Sequence, residues 1–268
     1  MSPFAAPAIK IVKSVREQVS PAEWDIRVNL AACYRLTELF GMTDMTANHI
    51  SFRLPNTPDH FLINPHGMLY DEVTASSLIV IDCDGNEIFN ATDFKVNQAG
   101  FVIHSAIHMA RHDLKCVHHT HTPAGMAVSS LECGLITMSQ SSLRFHKIAY
   151  HEYEGVALEL DERQRLVQDL GDADAMILRN HGLLVGAANI SGAFALAYRL
   201  EQACQTQIMA MSCNSPIRMP PQAAIEKTYA RELERRKVDP SMRMTHVGNQ
   251  TWESLKRRLD RIDPSYRE

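Results

Sequence analysis

The chain has 268 residues, 45% of them hydrophobic and 22% charged, with twelve glycines and twelve prolines. That length buries a sizeable core, so a small disulfide-stapled scaffold is excluded, and the balance is that of a folded globular protein, not a disordered or collagenous one. A formal net charge of −4 at pH 7 gives no basic surplus for nucleic acid or for an anionic membrane surface, and no apolar run is long enough to span a bilayer.

Residues 1–19 show no clear apolar period and lack the regions of a secretory leader; they read as an N-terminal arm on a cytoplasmic protein. Ser20-Pro21-Ala22-Glu23 then combines a capping residue, a proline at the first helical position and a carboxylate three residues after the cap. With Gly41 as the stop, this predicts a helix from Pro21 to Phe40. Ile50–Phe52, Phe61–Ile63 and Leu78–Cys83 are short β-branched and apolar runs. The last of them enters a turn at Asp84-Gly85 and returns through Ile88, which predicts antiparallel strands. A helix from Gly100 to Asp113, a strand from Lys115 to His121, a helix from Pro123 to Leu131 and a buried strand from Ala175 to Arg179 follow. Phe194, Ala197, Leu200, Cys204 and Ile208 mark the core face of a helix from Asn189 to Ser212. This mixture is α/β, but its early hairpins argue against a purely parallel sheet. From residue 214 onward prolines and charges dominate, with twelve basic and eight acidic side chains. Residues 214–268 are expected as a solvated helical tail resting on a neighbouring subunit, and residues 20–213 as the main domain.

The six cysteines contain no C-x-x-C pair, so they are expected as free, mostly core-filling thiols in a reducing compartment. Histidine is the unusual residue: thirteen are present, and all but His246 fall between His49 and His181. On a strand, His119 and His121 share a face while His118 points the other way. Two imidazoles on one face are half of a divalent-metal site, or else a polar face or a hydrogen-bonded core pair; a catalytic metal takes a third ligand and keeps a position open. His181 is the candidate third ligand, because Asn180-His181-Gly182 follows a buried strand whose end can aim a side chain into a cleft. His104, His108 and His112, four apart on a helix, form a competing cluster. They lie roughly opposite Ile103, Ile107, Ala110 and Leu114, so they are expected to face solvent or a subunit contact.

With these residues in view, the chain from about Glu23 to Met211 resembles the class II aldolase/adducin family, and most of all adducin head domains and bacterial proteins of that type. The matching text includes Asn48-His49-Ile50, Pro65-His66-Gly67, Glu72-Val73-Thr74-Ala75-Ser76-Ser77-Leu78, Asn97-Gln98-Ala99-Gly100-Phe101, His121-Thr122-Pro123-Ala124-Gly125 and Leu178-Arg179-Asn180-His181-Gly182. The resemblance implies a three-layer fold with a central, mainly antiparallel sheet flanked by helices, assembled as a homotetramer with sites at subunit interfaces. It also implies a divalent metal, most often zinc, on His119, His121 and His181. In the family's aldolases that metal acts as a Lewis acid and stabilises an enediolate.

The chain departs from those aldolases where they keep their acid/base carboxylate: the matching residue is Gly100, which carries no proton. Gln98 and Ala99 stand where two phosphate-binding serines are expected, Ala47 replaces a phosphate-loop glycine, and Gln140 falls near a tyrosine position. These losses argue against a sugar phosphate and toward another small oxygenated substrate. Adducin heads carry similar departures but not the complete triad, and the strongly basic tail of animal adducins is absent, so an actin-binding role inherits little. Asn48, Gly67 and Arg53 are the candidate substrate-binding residues, Arg53 because a guanidinium can grip a carboxylate bidentately. His49 lies in the same segment. Tyr150, His151 and Tyr153 are candidates for the missing proton carrier.

Overall fold

The computed structural model describes residues 15–155, 161–238 and 245–268. Residues 1–14 of the expected arm and 239–244 of the expected tail lie outside the described residues. The elements run α1 (Val15–Gln18), α2 (Pro21–Leu39), β1 (His49–Arg53), β2 (His60–Ile63), β3 (Ile79–Asp82), β4 (Glu87–Phe89), α3 (Gln98–Ala110), β5 (Cys116–Thr120) and α4 (Pro123–Ser129). There follow α5 (Gln140–Leu143), β6 (Ala149–His151), α6 (Glu162–Leu170), β7 (Ala175–Leu178), β8 (Gly182–Ala187), α7 (Ile190–Ser212), α8 (Gln222–Val238) and α9 (Thr245–Ile262). The eight strands form one sheet in the order β4-β3-β2-β1-β5-β8-β7-β6, antiparallel except between β6 and β7.

Local chemistry sets the boundaries of α2. The Ser20 hydroxyl accepts from the Glu23 amide at 3.1 Å, a cap that contributes about 1 kcal/mol. At the other end Gly41 adopts φ +65°. The Gly41 and Met42 amides donate back to the Glu38 and Thr37 carbonyls at 2.8 and 3.0 Å, satisfying two otherwise orphaned acceptors.

Strand alternation divides the core into two layers. Ile50, Phe52, Leu62, Val80, Cys116, Ile177 and Val185 pack with α2 and α7; Phe61, Ile63, Ile79, Ile81, Val117, Met176 and Leu184 pack with α3 and α6 on the opposite face. The result is helices, sheet, helices, as a period of two along each strand demands. Where β1 and β2 would continue pairing beyond Phe52 and Leu62, the Tyr34 hydroxyl enters between them. It accepts from the Ile50 and Asn64 amides at 3.1 and 3.0 Å and donates to the Ile50 carbonyl.

Three sequence expectations change here. His104 and His108 do not face solvent: both are fully buried against β1, and only His112 is exposed. Helix α3 is covered on two sides, with Ile103 and Ile107 in the layer shared with α6 while the next face meets the sheet, so an apolar stripe on one side did not make the other side wet. The end of the expected tail packs on its own chain. Trp252, Leu259 and Tyr266 are buried among residues of α2 and α7, and Arg35 of α2 reaches Asp263 at 3.2 Å. Strand β8, fully buried between β5 and β7, was not anticipated. The cysteines are all free, four of them buried. Among the described residues no helix is long and apolar enough to cross a membrane.

Candidate metal centre

Three backbone features bring the site together. β5 ends at Thr120, so His119 is the last strand residue on the α3 face and His121 follows in the turn capped by Thr122, whose hydroxyl accepts from the Gly125 amide. β5 pairs with β8, placing Thr120 opposite Leu183. β7 and β8 meet through Leu178 opposite Gly182, leaving a three-residue loop with Asn180 at φ +55° and His181 next to β5. Gly182 is required there, because a Cβ would run into the Thr120 carbonyl oxygen.

The imidazoles of His119, His121 and His181 consequently converge, with one nitrogen from each lying within 4.8 Å of the others. His119 Nε2 lies 2.7 Å from His121 Nε2, which lies 2.9 Å from His181 Nε2. The opposite nitrogens explain the orientation. His119 Nδ1 donates to the Leu183 carbonyl at 2.9 Å, and His121 Nδ1 faces Asp44 Oδ2 at 3.3 Å. Neither acceptor can donate, so both rings carry their hydrogen on Nδ1 and present a bare Nε2. Two lone pairs then point at each other across 2.7 Å, an arrangement that calls for a cation between them. Tetrahedral coordination with ~2.0–2.1 Å bonds needs nitrogens about 3.3 Å apart, a relaxation of roughly half an ångström. The donor set and its carbonyl and carboxylate supports fit a divalent metal.

Electrostatics agrees. Burial holds the His119 imidazole well below its usual range, with further contributions from His181, His49 and His121. Burial and the neighbouring imidazoles bring His181 to about 4. Burial lowers His121 too, opposed by Asp44. All three are neutral near pH 7, as ligands must be. Asp44 escaped sequence reasoning, since nothing in a lone aspartate on a loop announces that it will meet His121.

The other named residues divide. His49 stacks on His119, ring centroids 4.9 Å apart at 29°, with Asn48 beside it. Asn48 Oδ1 accepts from the Asp44 amide at 2.5 Å, and its buried Nδ2 has no partner. Gly100 opens α3 against His49: a Cβ there would sit 2.6 Å from His49 Cδ2. His151 and Tyr153 line a cleft that His181 also borders. In it His151 Nδ1 donates to Asp169 at 2.7 Å, and Nε2 lies 3.5 Å from Glu162. Tyr150 is occupied elsewhere, its hydroxyl accepting from the Leu135 amide at 3.0 Å and its ring beneath Arg179. Arg53 sits at the opposite end of β1 from His49, roughly 13 Å along the strand, buried and donating to the Pro58 carbonyl. Gly67 takes φ +98° in an exposed turn against the Phe94 ring, without contact to the triad. A more apolar groove between α2, α7 and α9, walled by Phe40, Phe194, Tyr198 and Trp252, has no histidine or carboxylate in its lining.

A neutral three-histidine site at the ends of interior strands of a mainly antiparallel sheet defines the class, and comparison with known proteins agrees. Residues 28–208 match the family described as Class II Aldolase and Adducin N-terminal domain, and the chain belongs to that family. A Pseudomonas aeruginosa protein whose name places it with aldolase class 2 proteins is 45% identical over 258 residues, 95% of this chain and 96% of that protein. Alpha-adducin of Rattus norvegicus is 38% identical over 243 residues, 88% of this chain and 33% of adducin, so the chain spans about a third of that protein. Among solved structures, an aldolase II superfamily protein from Pseudomonas syringae superposes with a TM-score of 0.88 at 46% identity, covering 95% of this chain and all of the other. The L-fuculose 1-phosphate aldolase of Glaciozyma antarctica superposes at 0.78 with 26% identity, covering 92% and 93%.

Proposed function

We propose that this protein is a metal-dependent lyase, holding zinc on His119, His121 and His181 and acting on a small oxygenated substrate by aldol cleavage, epimerisation or decarboxylation. The observation that carries this reading is the pair of bare Nε2 atoms facing each other at 2.7 Å, each fixed from behind by an acceptor. A bound divalent cation supplies Lewis acidity against the negative charge that develops on a substrate oxygen when a bond beside a carbonyl breaks. The chain contributes orientation of the three rings, the unpaired amide of Asn48 as a substrate contact, and His151 with its two carboxylates beside His181 as a proton-handling group. Gly100 contributes no proton, which sets the reaction apart from one that needs a carboxylate there. The reading includes a cytoplasmic homotetramer with sites between subunits.

A second reading, a non-catalytic adducin-like assembly or actin-binding module, draws on the likeness to alpha-adducin and on Gly100. One experiment separates the two: metal analysis after dialysis against zinc, with a turnover screen of hydroxy-carbonyl and hydroxy-acid compounds before and after chelation. The lyase reading expects about one zinc per chain and turnover that chelation abolishes and zinc restores. Zinc uptake without turnover, together with co-sedimentation with actin at physiological salt, favours the second reading. No zinc uptake removes the first.

A further inference from the structure

Behind the triad lies a row of buried polar groups that metal binding does not use. His49 and Ser51 share one face of β1, and His104 and His108 share one face of α3. Two residues along a strand advance about 6.6 Å and four along a helix about 6 Å, so the two rows stay in step. They interlock: His49 Nδ1 to His104 Nε2 at 2.7 Å, His104 Nδ1 to Ser51 Oγ at 2.5 Å, Ser51 Oγ to His108 Nε2 at 2.6 Å. The far end is His108 Nδ1, buried and without a partner.

Each link needs one hydrogen, and Ser51 has one to give, so the row has two neutral states. In the first, His108 Nε2–H donates to Ser51, Ser51 to His104 Nδ1, and His104 Nε2–H to His49 Nδ1, which leaves the hydrogen of His49 on Nε2. In the second every bond reverses, His49 Nε2 is bare, and His108 is left with a buried N–H that has no acceptor. Orphaned buried N–H groups are the rarer and costlier defect. The charge of Arg53, the next residue on this face of β1, also acts on His108, and a cation at that end favours a lone pair over a hydrogen. Burial keeps His104 and His108 uncharged, so both arguments select the first state.

The near end lies against the triad, where His49 stacks on His119. A Cβ at position 100 would lie 2.6 Å from His49 Cδ2 and 2.9 Å from both Cγ and Nε2, which puts it over the face of the ring. His49 is thus held between the bare backbone of Gly100 and the ring of His119. Its Nε2 has no hydrogen-bond partner among the described residues and is not among the unpaired nitrogens sealed from solvent.

We propose that His49 is a substrate-contacting residue: a neutral imidazole, seated in the room left by Gly100, that donates its Nε2–H to an anionic oxygen of a small oxygenated ligand at the triad. Ser51, His104 and His108 are positioning residues that set its tautomer. The proposal deepens the lyase reading and rests on it for the ligand, but the tautomer assignment stands on the chain alone.

The test has two arms. In metal-free protein labelled with ¹⁵N-histidine, long-range ¹⁵N–¹H correlation spectra report which ring nitrogen of His49 is protonated, with His49→Gln used for assignment. The expected result is Nε2–H in the wild type and a mixture of tautomers in Ser51→Ala; a wild-type His49 protonated on Nδ1 overturns the proposal. In zinc-loaded protein, calorimetric titration with glycolohydroxamate, a chelating mimic of an enolate, is expected to give about tenfold weaker binding in His49→Phe at unchanged zinc content. Equal affinity overturns the donor role. Failure of the wild type to take up zinc overturns the lyase reading instead, and the spectra on metal-free protein still decide the tautomer.

Discussion

His118 and His119 are neighbours on β5, both buried, and they meet opposite fates. His118 turns to the α2 face, where its Nε2 lies 3.4 Å from the Thr37 hydroxyl, itself bonded to the Cys33 carbonyl at 2.8 Å. Its Nδ1 is buried without a partner among the described residues and faces no second imidazole. His119 turns to the α3 face and finds a carbonyl behind it and two more imidazoles in front. Burial lowers the pKa of both, His118 to about 3, so burial does not distinguish a structural histidine from one in the candidate metal centre. What distinguishes them is whether a bare nitrogen meets others at one point, as those of His119, His121 and His181 do, or stands alone, as Nδ1 of His118 does.

Breaking that contrast gives the largest expected effect. His119→Ala and His181→Ala should each weaken zinc binding by at least about a hundredfold, because two ligands rarely hold the ion. His118→Ala should leave zinc stoichiometry intact and lower stability by about 1–3 kcal/mol. Metal analysis and urea titration of the three variants give both numbers, and equal zinc loss in His118→Ala would erase the distinction. Asp44→Asn sharpens the comparison from behind His121. It keeps the size of the side chain but loses the carboxylate that holds Nδ1–H, so zinc affinity should fall about 10–100-fold at unchanged stability, read by competition with a chromophoric chelator.

A further effect concerns acid. Burial takes His108 from 6.5 to about 3, so between those values the unfolded chain binds a proton that the native chain refuses. Stability is therefore full above pH 6.5 and declines as pH falls toward 3, by up to about 1.4 kcal/mol per pH unit for one such histidine. Urea midpoints in the metal-free protein should drop from pH 7 to pH 5, and His108→Asn should flatten the slope. A pH-independent midpoint would mean that the row on α3 is hydrated.

Much of this was legible before any coordinates. The Ser20 cap, the Gly41 stop and the alternating runs of β1 to β3 carry their geometry in local chemistry, and H-x-H with Asn-His-Gly pointed to the three histidines that converge. What was illegible depends on neighbours. Gly182–Ala187 holds two glycines and did not read as a strand; both are needed because Thr120 and Leu114 press on the backbone from outside. The α6 sequence ERQRLVQDL has only Leu166 and Leu170 as fully buried apolar residues, too few for a period. His104 and His108 misled because an amphipathic reading assumes one covered side, whereas α3 is covered on two. Asp44 and the Leu183 carbonyl reach the rings only through tertiary folding.

The clasp between the segment after α9 and the body has a kinetic consequence. The Tyr266 carbonyl accepts from the Ala75 amide at 3.0 Å and the Glu268 carbonyl from the Ser76 amide at 2.8 Å, joining stretches of chain separated by roughly 190 positions. Closing so wide a loop costs entropy that only late contacts repay, and such non-local pairing slows folding. The layer built by α2, α7 and α9 should therefore gain its final protection from amide exchange after the β1–β3 meander has gained its own.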